Sequence, residues 1–195
     1  MTLLAAFATD QFTVFVGDKR RTNVEDYNEY YDDMRKVFKI NDRVIVGFSG
    51  DFEVTLDCLR YIVQLPILDF DVTRVAHELK IYLAEKQKMD NELQQTVILS
   101  GIDSSENVAI ITMNHDNSFE LSEVIPDEGH FNWQLALADI NPHEFISESI
   151  NTIIESDSEL DLNRVIELAK DTVSYVSKDD RFVSDNFDIE YLVKF

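Results

Sequence analysis

Residues 1–22 read MTLLAAFATDQFTVFVGDKRRT, and their first half decides the fold. Two apolar runs, LLAAFA at 3–8 and FTVFV at 12–16, are separated by Thr9, Asp10 and Gln11, a hairpin-length link. LLAAFA does not alternate between apolar and polar residues. A strand apolar on both faces is covered on both faces, so this hairpin belongs to a sheet inside the protein.

The pattern then repeats. KVFKI at 36–40 and RVIVGFSG at 43–50 form a second pair across Asn41 and Asp42, a turn dipeptide, and VIVGF is again apolar throughout. The intervening residues 19–34 are polar, with three tyrosines, Val24 and Met34 among them, and read as a loop or irregular crossing. Two helices follow. GDFEVTLDCLRYIVQ at 50–64 carries Phe52, Leu56, Leu59 and Val63 at helical spacing. DVTRVAHELKIYLAEKQ at 71–87 does the same with Asp71 as N-cap, and Pro66 breaks the chain between them.

TVILSGID, NVAIITMN, FELSEVI and NWQLALAD read as further strands. INPHEFISESINTII opens a helix with Asn141 as N-cap, Pro142 at the first helical position and Glu144 placed for a capping box. A last helix carries Leu162, Val165, Ile166, Ala169, Val173 and Val176, and FDIEYLVKF closes as a strand. Two helices follow each group of strands. That order predicts an α+β protein with two sheets face to face and a helical layer outside each, in a single domain over 1–195.

Composition excludes several classes. Apolar residues make up 45% and charged residues 28%, ordinary globular values. Seventeen basic against 38 acidic residues leave a net charge of −21, which repels phosphates and anionic lipid heads, so neither nucleic acid nor a membrane surface is an expected partner. One cysteine, Cys58, allows no internal disulfide and fits a cytoplasmic protein; in its apolar run it reads as a small core residue. The start lacks a basic flank, and LLAAFA is shorter than the apolar core of a secretory signal. His77, His115, His130 and His143 are scattered without metal-ligand spacing, so neither metal nor cofactor is expected. Trp133 reads as a core residue whose N–H needs a partner.

The first fifty residues can support one kind of chemistry. A threonine hydroxyl is a weak nucleophile and needs a base beside it. Removal of Met1 would make Thr2 chain-terminal and give it one, its own α-amine, whose reference pKa is roughly 7.7–8.0. A nearby lysine ammonium favours loss of that proton, an aspartate orients the lysine, and a strand-end N–H can take an oxyanion. Thr2, Asp18, Lys36 and Gly47 offer these groups, and antiparallel neighbours can bring them to one end of a sheet. Each also has a plainer reading. Thr2 alone is an ordinary residue after an initiator, Asp18 a turn residue, Lys36 a solvated strand lysine, and Arg20 and Arg21 partners for surface carboxylates.

At this point the chain resembles the proteasome β-subunits and the related bacterial proteasome-like peptidases, members of the N-terminal nucleophile hydrolases. GDKRRT at 17–22 resembles the family's Gly-Asp-x-Arg-x-Thr segment. RKVFKINDRVIVGFSGD at 35–51 resembles its lysine strand and oxyanion-glycine strand. ILSGID at 98–103 resembles its mid-chain strand ending in Gly-x-Asp, and Ser184 stands before the last strand as a supporting serine does. The loop between Asp18 and Lys36 is about two residues longer than usual in the family. The resemblance implies a four-layer α-β-β-α sandwich of two antiparallel sheets. It implies a threonine-type peptidase acting on peptides or proteins, with Thr2 as nucleophile, Asp18 and Lys36 tuning it, and the Gly47 N–H at the oxyanion. It places Met34, Ile45 and Ser49 at the substrate pocket, hinting at apolar side chains. It also implies self-assembly into a homo-oligomeric ring or spiral, and leaves room for an ATPase or other regulator that the sequence does not identify.

Two departures stand against the family pattern. Where the family has Gly-Ser-Gly, this chain has Ala138, Asp139 and Ile140. Where the family has Asp-x-x-Ser-Gly, Ser184 follows Arg181 by three places, with Asp180 one further back and Asp185 after it. Either Asp139 and Asp180 rebuild the shell around the terminal amine, or the site is weakened or silent. The alternatives to a peptidase are therefore a catalytically inactive structural subunit on the same scaffold, or an amidase or acyl transferase using Thr2.

Overall fold

The computed structural model describes residues 2–22, 28–66, 70–136, 139–155 and 160–194. Among the described residues, eleven strands and four α-helices are laid out in an order close to that expected. They are β1 (Leu4–Ala8), β2 (Phe12–Asp18), β3 (Arg20–Thr22), β4 (Tyr30–Asp32), β5 (Val37–Lys39), β6 (Val44–Gly50), α1 (Phe52–Ile62), α2 (Val72–Met89), β7 (Gln95–Ile102), β8 (Val108–Asn114), β9 (Ser122–Val124), β10 (Asn132–Ala136), α3 (His143–Glu155), α4 (Leu162–Ser177) and β11 (Phe187–Val193). All pairings are antiparallel. One sheet runs β10-β1-β2-β11, the other β5-β6-β7-β8-β9, and β3 pairs with β4 in a two-stranded ribbon.

The apolar hairpin explains the core. Successive strand side chains point to opposite faces. On β1, Ala5 and Phe7 join a cluster with Val165, Ala169 and Val173 of α4, while Leu4, Ala6 and Ala8 join a cluster drawn from both sheets and from no helix. On β6, Val44, Val46 and Phe48 pack with Val75, Leu79 and Leu83 of α2, while Ile45 faces the inter-sheet cluster. Each central strand thus buries both faces, as its composition requires. Inside, Thr13 of β2 and Ser100 of β7 bond to each other through their hydroxyls, linking the two sheets. The Thr13 hydroxyl also bonds the Phe7 carbonyl at 3.0 Å, so this buried polar pair is satisfied.

Local chemistry sets the helix starts. Asp51, Asp71 and Asp161 each accept a backbone N–H in the first turn of α1, α2 and α4. Asn141 accepts the His143 N–H at the start of α3. Part of the strong acidity of the chain is therefore spent on capping. Gly101 is required by contact: a Cβ there would stand 2.0 Å from the Arg43 carbonyl oxygen.

Four expectations need correction. Residues 19–34 are not simply a loop, since β3 and β4 form within them; Val24 lies outside the described residues. FELSEVI is a strand only over Ser122–Val124, because Ser118 and Phe119 take left-handed backbone angles (φ 56° and 60°) in a turn. Of NWQLALAD, β10 covers Asn132–Ala136, and Leu137 and Ala138 lie outside the described residues. Finally, β1 and β2 share one sheet while β5 and β6 belong to the other, so Thr2, Asp18 and Lys36 meet between two sheets rather than at one end of a single sheet.

Candidate active site

Asp18 ends β2 and is fully buried. A carboxylate there is tolerable only if its oxygens are well served. Its Oδ1 accepts the Leu3 N–H and the Lys36 Nζ, both at 2.9 Å. Its Oδ2 accepts the Arg20 N–H at 2.8 Å and the Ser184 N–H at 3.4 Å. In return the Asp18 N–H donates to the Leu3 carbonyl at 3.2 Å. Asp18 therefore grips the residue after Thr2 from both sides and fixes the chain where Thr2 sits.

Lys36 precedes β5 and is also buried, at 2% exposure. Its carbonyl accepts the Phe48 N–H, which anchors it to β6. Burial pushes the Lys36 ammonium below the ordinary lysine range, against the opposing pull of the Asp18 and Asp32 carboxylates.

Thr2 is 5% exposed and lines a cavity of about 650 Å³ together with Lys36, Met34 and Gly50. One wall is the β3 ribbon, Arg20 to Thr22, with Phe182 beside it. Asp51, Phe52 and Glu53 at the start of α1 and Glu92 and Gln94 at the entry to β7 also line the cavity. The ribbon wall is stiffened by paired contacts. Arg20 makes a bidentate pair with Asp32 at 2.7 and 2.8 Å, lies over the Tyr30 ring at 4.0 Å, and donates to the Arg181 carbonyl at 2.8 Å. Arg21 pairs with Asp33 at 2.8 Å and lies over Tyr31 at 4.6 Å. The Arg20 guanidinium, joined by the Ser184 hydroxyl, holds the Asp32 carboxyl below its usual range.

Of the two glycines in GFSG, Gly50 and not Gly47 lines the cavity. The Phe48 N–H bonds Lys36, and the Ile40 N–H bonds Val44, so the even-numbered residues of β6 face β5. The Ile102 N–H bonds the Arg43 carbonyl and the Asp51 N–H the Gln94 carbonyl, so Gly47 turns its N–H toward β7 and spends it in that ladder. Gly47 is instead the floor beneath Phe15, where a Cβ would come within 2.4 Å of the ring. Gly50, at φ 131°, is the glycine at the cavity. The signal was present in the sequence: the last glycine of a strand, just before the Asp51 cap, is the one whose N–H runs out of ladder partners.

The remaining expected site residues divide. Met34 lines the cavity. Ile45 does not, because its side chain is buried in the inter-sheet cluster. Ser49 is half-buried opposite Thr96 and lies outside the cavity lining. Ser184 comes to the site through its backbone bond to Asp18, while its hydroxyl accepts the Asn186 N–H at 3.0 Å. Asp180 spends both carboxylate oxygens elsewhere: Oδ2 accepts the N–H groups of Asp139 and Ile140 at 2.8 and 3.3 Å, and Oδ1 that of Phe182 at 2.9 Å. Asp139 is exposed. Asp180 thus clamps the 139–140 loop, and neither aspartate is part of the cavity lining. Cys58 is buried and its thiol is pushed up to about 12, so it is an inert core residue.

The described residues make a mixed α+β fold of antiparallel sheets and four α-helices. It is similar to the crystal structure of eukaryotic HslV from Trypanosoma brucei, with a TM-score of 0.63 over 98% of this chain and 99% of that one, at 16% identity. No protein-family profile matches the chain, and no curated protein matches it in sequence. Among the described residues no helix is long and apolar enough to cross a membrane.

Proposed function

We propose that the chain is a threonine-nucleophile amide hydrolase, a proteasome-like peptidase that acts once Met1 has been removed. The observation that carries this reading is the buried chain of contacts from Lys36 through Asp18 to the Leu3 N–H. It serves a cavity that Thr2 and Lys36 both line. The freed Thr2 amine takes the hydroxyl proton, and Oγ attacks the substrate carbonyl. The Gly50 N–H, in place of Gly47, receives the oxyanion. The amine returns the proton to the leaving nitrogen, and water then cleaves the Thr2 ester with the same amine as base. Lys36 lowers the cost of freeing that amine through its charge.

Under this proposal the whole chain is one domain, a four-layer α-β-β-α sandwich. It assembles with copies of itself into a ring or spiral in the cytoplasm, as the resemblance implies. A specific observation favours a second reading, a silent structural subunit: Asp180 is committed to the 139–140 loop and so does not serve the terminal amine. Steady-state hydrolysis of fluorogenic peptides separates the two. The peptidase reading expects turnover abolished by Thr2→Ala and reduced at least about 10²-fold by Lys36→Ala. No turnover by wild-type protein lacking Met1 would favour the silent subunit.

A further inference from the structure

Gln95 opens β7 directly opposite Gly50 of β6 and is fully buried. Its Nε2 donates to the Thr55 hydroxyl of α1 at 3.1 Å, and that hydroxyl donates to the Asp51 carbonyl at 3.0 Å. The direction of this chain of bonds is fixed. A hydroxyl has one proton, and Thr55 gives it to Asp51, so Thr55 can only accept from Gln95. The amide must therefore turn its N–H to Thr55 and its oxygen away. Gln95 Oε1 is buried and has no hydrogen-bond partner among the described residues. It stands against Gly50, where a Cβ would come within 2.8 Å of Oε1 and 2.0 Å of the Gln94 carbonyl oxygen. That same carbonyl accepts the Asp51 N–H at 3.0 Å. Gly50 is thus wedged at φ 131° by two oxygens, and Asp51 after it is held by both its N–H and its carbonyl.

An unpaired buried oxygen is a standing cost to a fold and calls for a reason. The reason here is its neighbour. Gly50 lies beyond the Phe48 N–H that Lys36 accepts, at the end of the β5–β6 ladder, and it lines the Thr2 cavity. We infer that Gln95 is a positioning residue for the reaction: its amide, through Thr55 and by direct contact, holds the Gly50 N–H aimed into the cavity. Oε1 meets the Cα–H side of Gly50, a weak contact that leaves the N–H free for the developing oxyanion. Gln95 is not part of the cavity lining, so it acts through Gly50 and not on the substrate. The inference rests on the proposed active site and adds the pair Gln95 and Thr55 to it.

The test uses two near-isosteric variants, Gln95→Met and Thr55→Val, and the double variant, with thermal melting to report the folded state. Fluorogenic peptide turnover is measured alongside amide hydrogen exchange at Asp51, which needs no chemistry. Each single variant should lower kcat about tenfold, a displaced rather than deleted oxyanion donor, with KM within about twofold. The double variant should lose no more than the worse single one, since both break the same chain of bonds. A peptide aldehyde, which forms a tetrahedral adduct, should lose affinity by the same factor as kcat, while the matching peptide alcohol binds as before. Exchange at Asp51 should speed in both single variants and stay unchanged at Gly47. Unchanged kcat in an active enzyme overturns the inference, as does a rise in KM in place of the fall in kcat. Unchanged exchange at Asp51 overturns it whether or not the wild type turns over. Wild-type protein without turnover, whose Asp51 exchange still speeds in both variants, sinks the nucleophile and upholds the hold of Gln95 on Gly50.

Discussion

Oδ1 of Asp18 accepts both the Lys36 ammonium and the Leu3 N–H at 2.9 Å. One oxygen atom thereby ties the first strand of one sheet to the lysine that leads into the other. The site cannot be loosened without loosening this junction, and the predictions below separate the two roles.

Breaking a buried ion pair from one side leaves an uncompensated charge, which costs about 3–5 kcal/mol. Lys36→Met and Asp18→Asn should each destabilise by about that amount. The double variant should be less destabilised than the sum by at least about 0.5 kcal/mol, because neither charge is then stranded. Urea unfolding of the four proteins checks this; strict additivity would mean the pair is not energetically coupled.

The Lys36 ammonium is depressed in the folded protein, so between its folded value and the ordinary lysine value near 10.5 the unfolded chain binds more protons. Stability must then rise with pH across that window. Below the folded value the penalty for burying the charge is constant. Unfolding free energies of wild type relative to Lys36→Met, measured from neutral pH upward, should show a positive slope. A flat difference would contradict the assigned direction.

Gly47 and Gly50 should fail differently. Gly47→Ala drives a Cβ into the Phe15 ring and should cost about 1–3 kcal/mol of stability, with activity per folded molecule kept. Gly50→Ala forces a side chain onto φ 131° and against the Gln94 carbonyl, displacing the N–H proposed for the oxyanion. It should lower kcat about 10²-fold. Active-site titration alongside the melting curves distinguishes them, and the reverse pattern would restore Gly47 to the site.

Asp180→Ala should leave the Asp139, Ile140 and Phe182 N–H groups short of an acceptor and cost about 1–3 kcal/mol. Amide hydrogen exchange should speed at those residues. If exchange there is unchanged, and the pH dependence of kcat moves instead, Asp180 acts on the terminal amine after all.

Much of the architecture could be read before any coordinates because LLAAFA and VIVGF have no polar face to offer water, and because Asp71 and Asn141 announce helix starts. The pairing of β1 with β10 and of β2 with β11 could not. Those contacts join distant segments, and no local pattern names a partner. The β3–β4 ribbon was hidden for another reason: it is held by Arg20–Asp32 and Arg21–Asp33 pairs and two arginine–tyrosine stacks, not by apolar alternation. Residue type and spacing single out Thr2, Asp18, Lys36 and Met34; the structure pairs Lys36 with Asp18 and sets Thr2, Met34 and Lys36 on one cavity, and their roles belong to the proposal above. Gly47 and Ile45 were misplaced because the alternation of β6 depends on which neighbour each N–H meets, and that requires the register.

The central claim is a nucleophile at residue 2, and intact-mass spectrometry with a threonine-directed covalent inhibitor tests it most directly. The purified protein should lack the mass of Met1 and gain one inhibitor adduct, mapped by fragmentation to Thr2, while Thr2→Ala gains none. Retained Met1, or an adduct of equal extent on Thr2→Ala, would contradict the account.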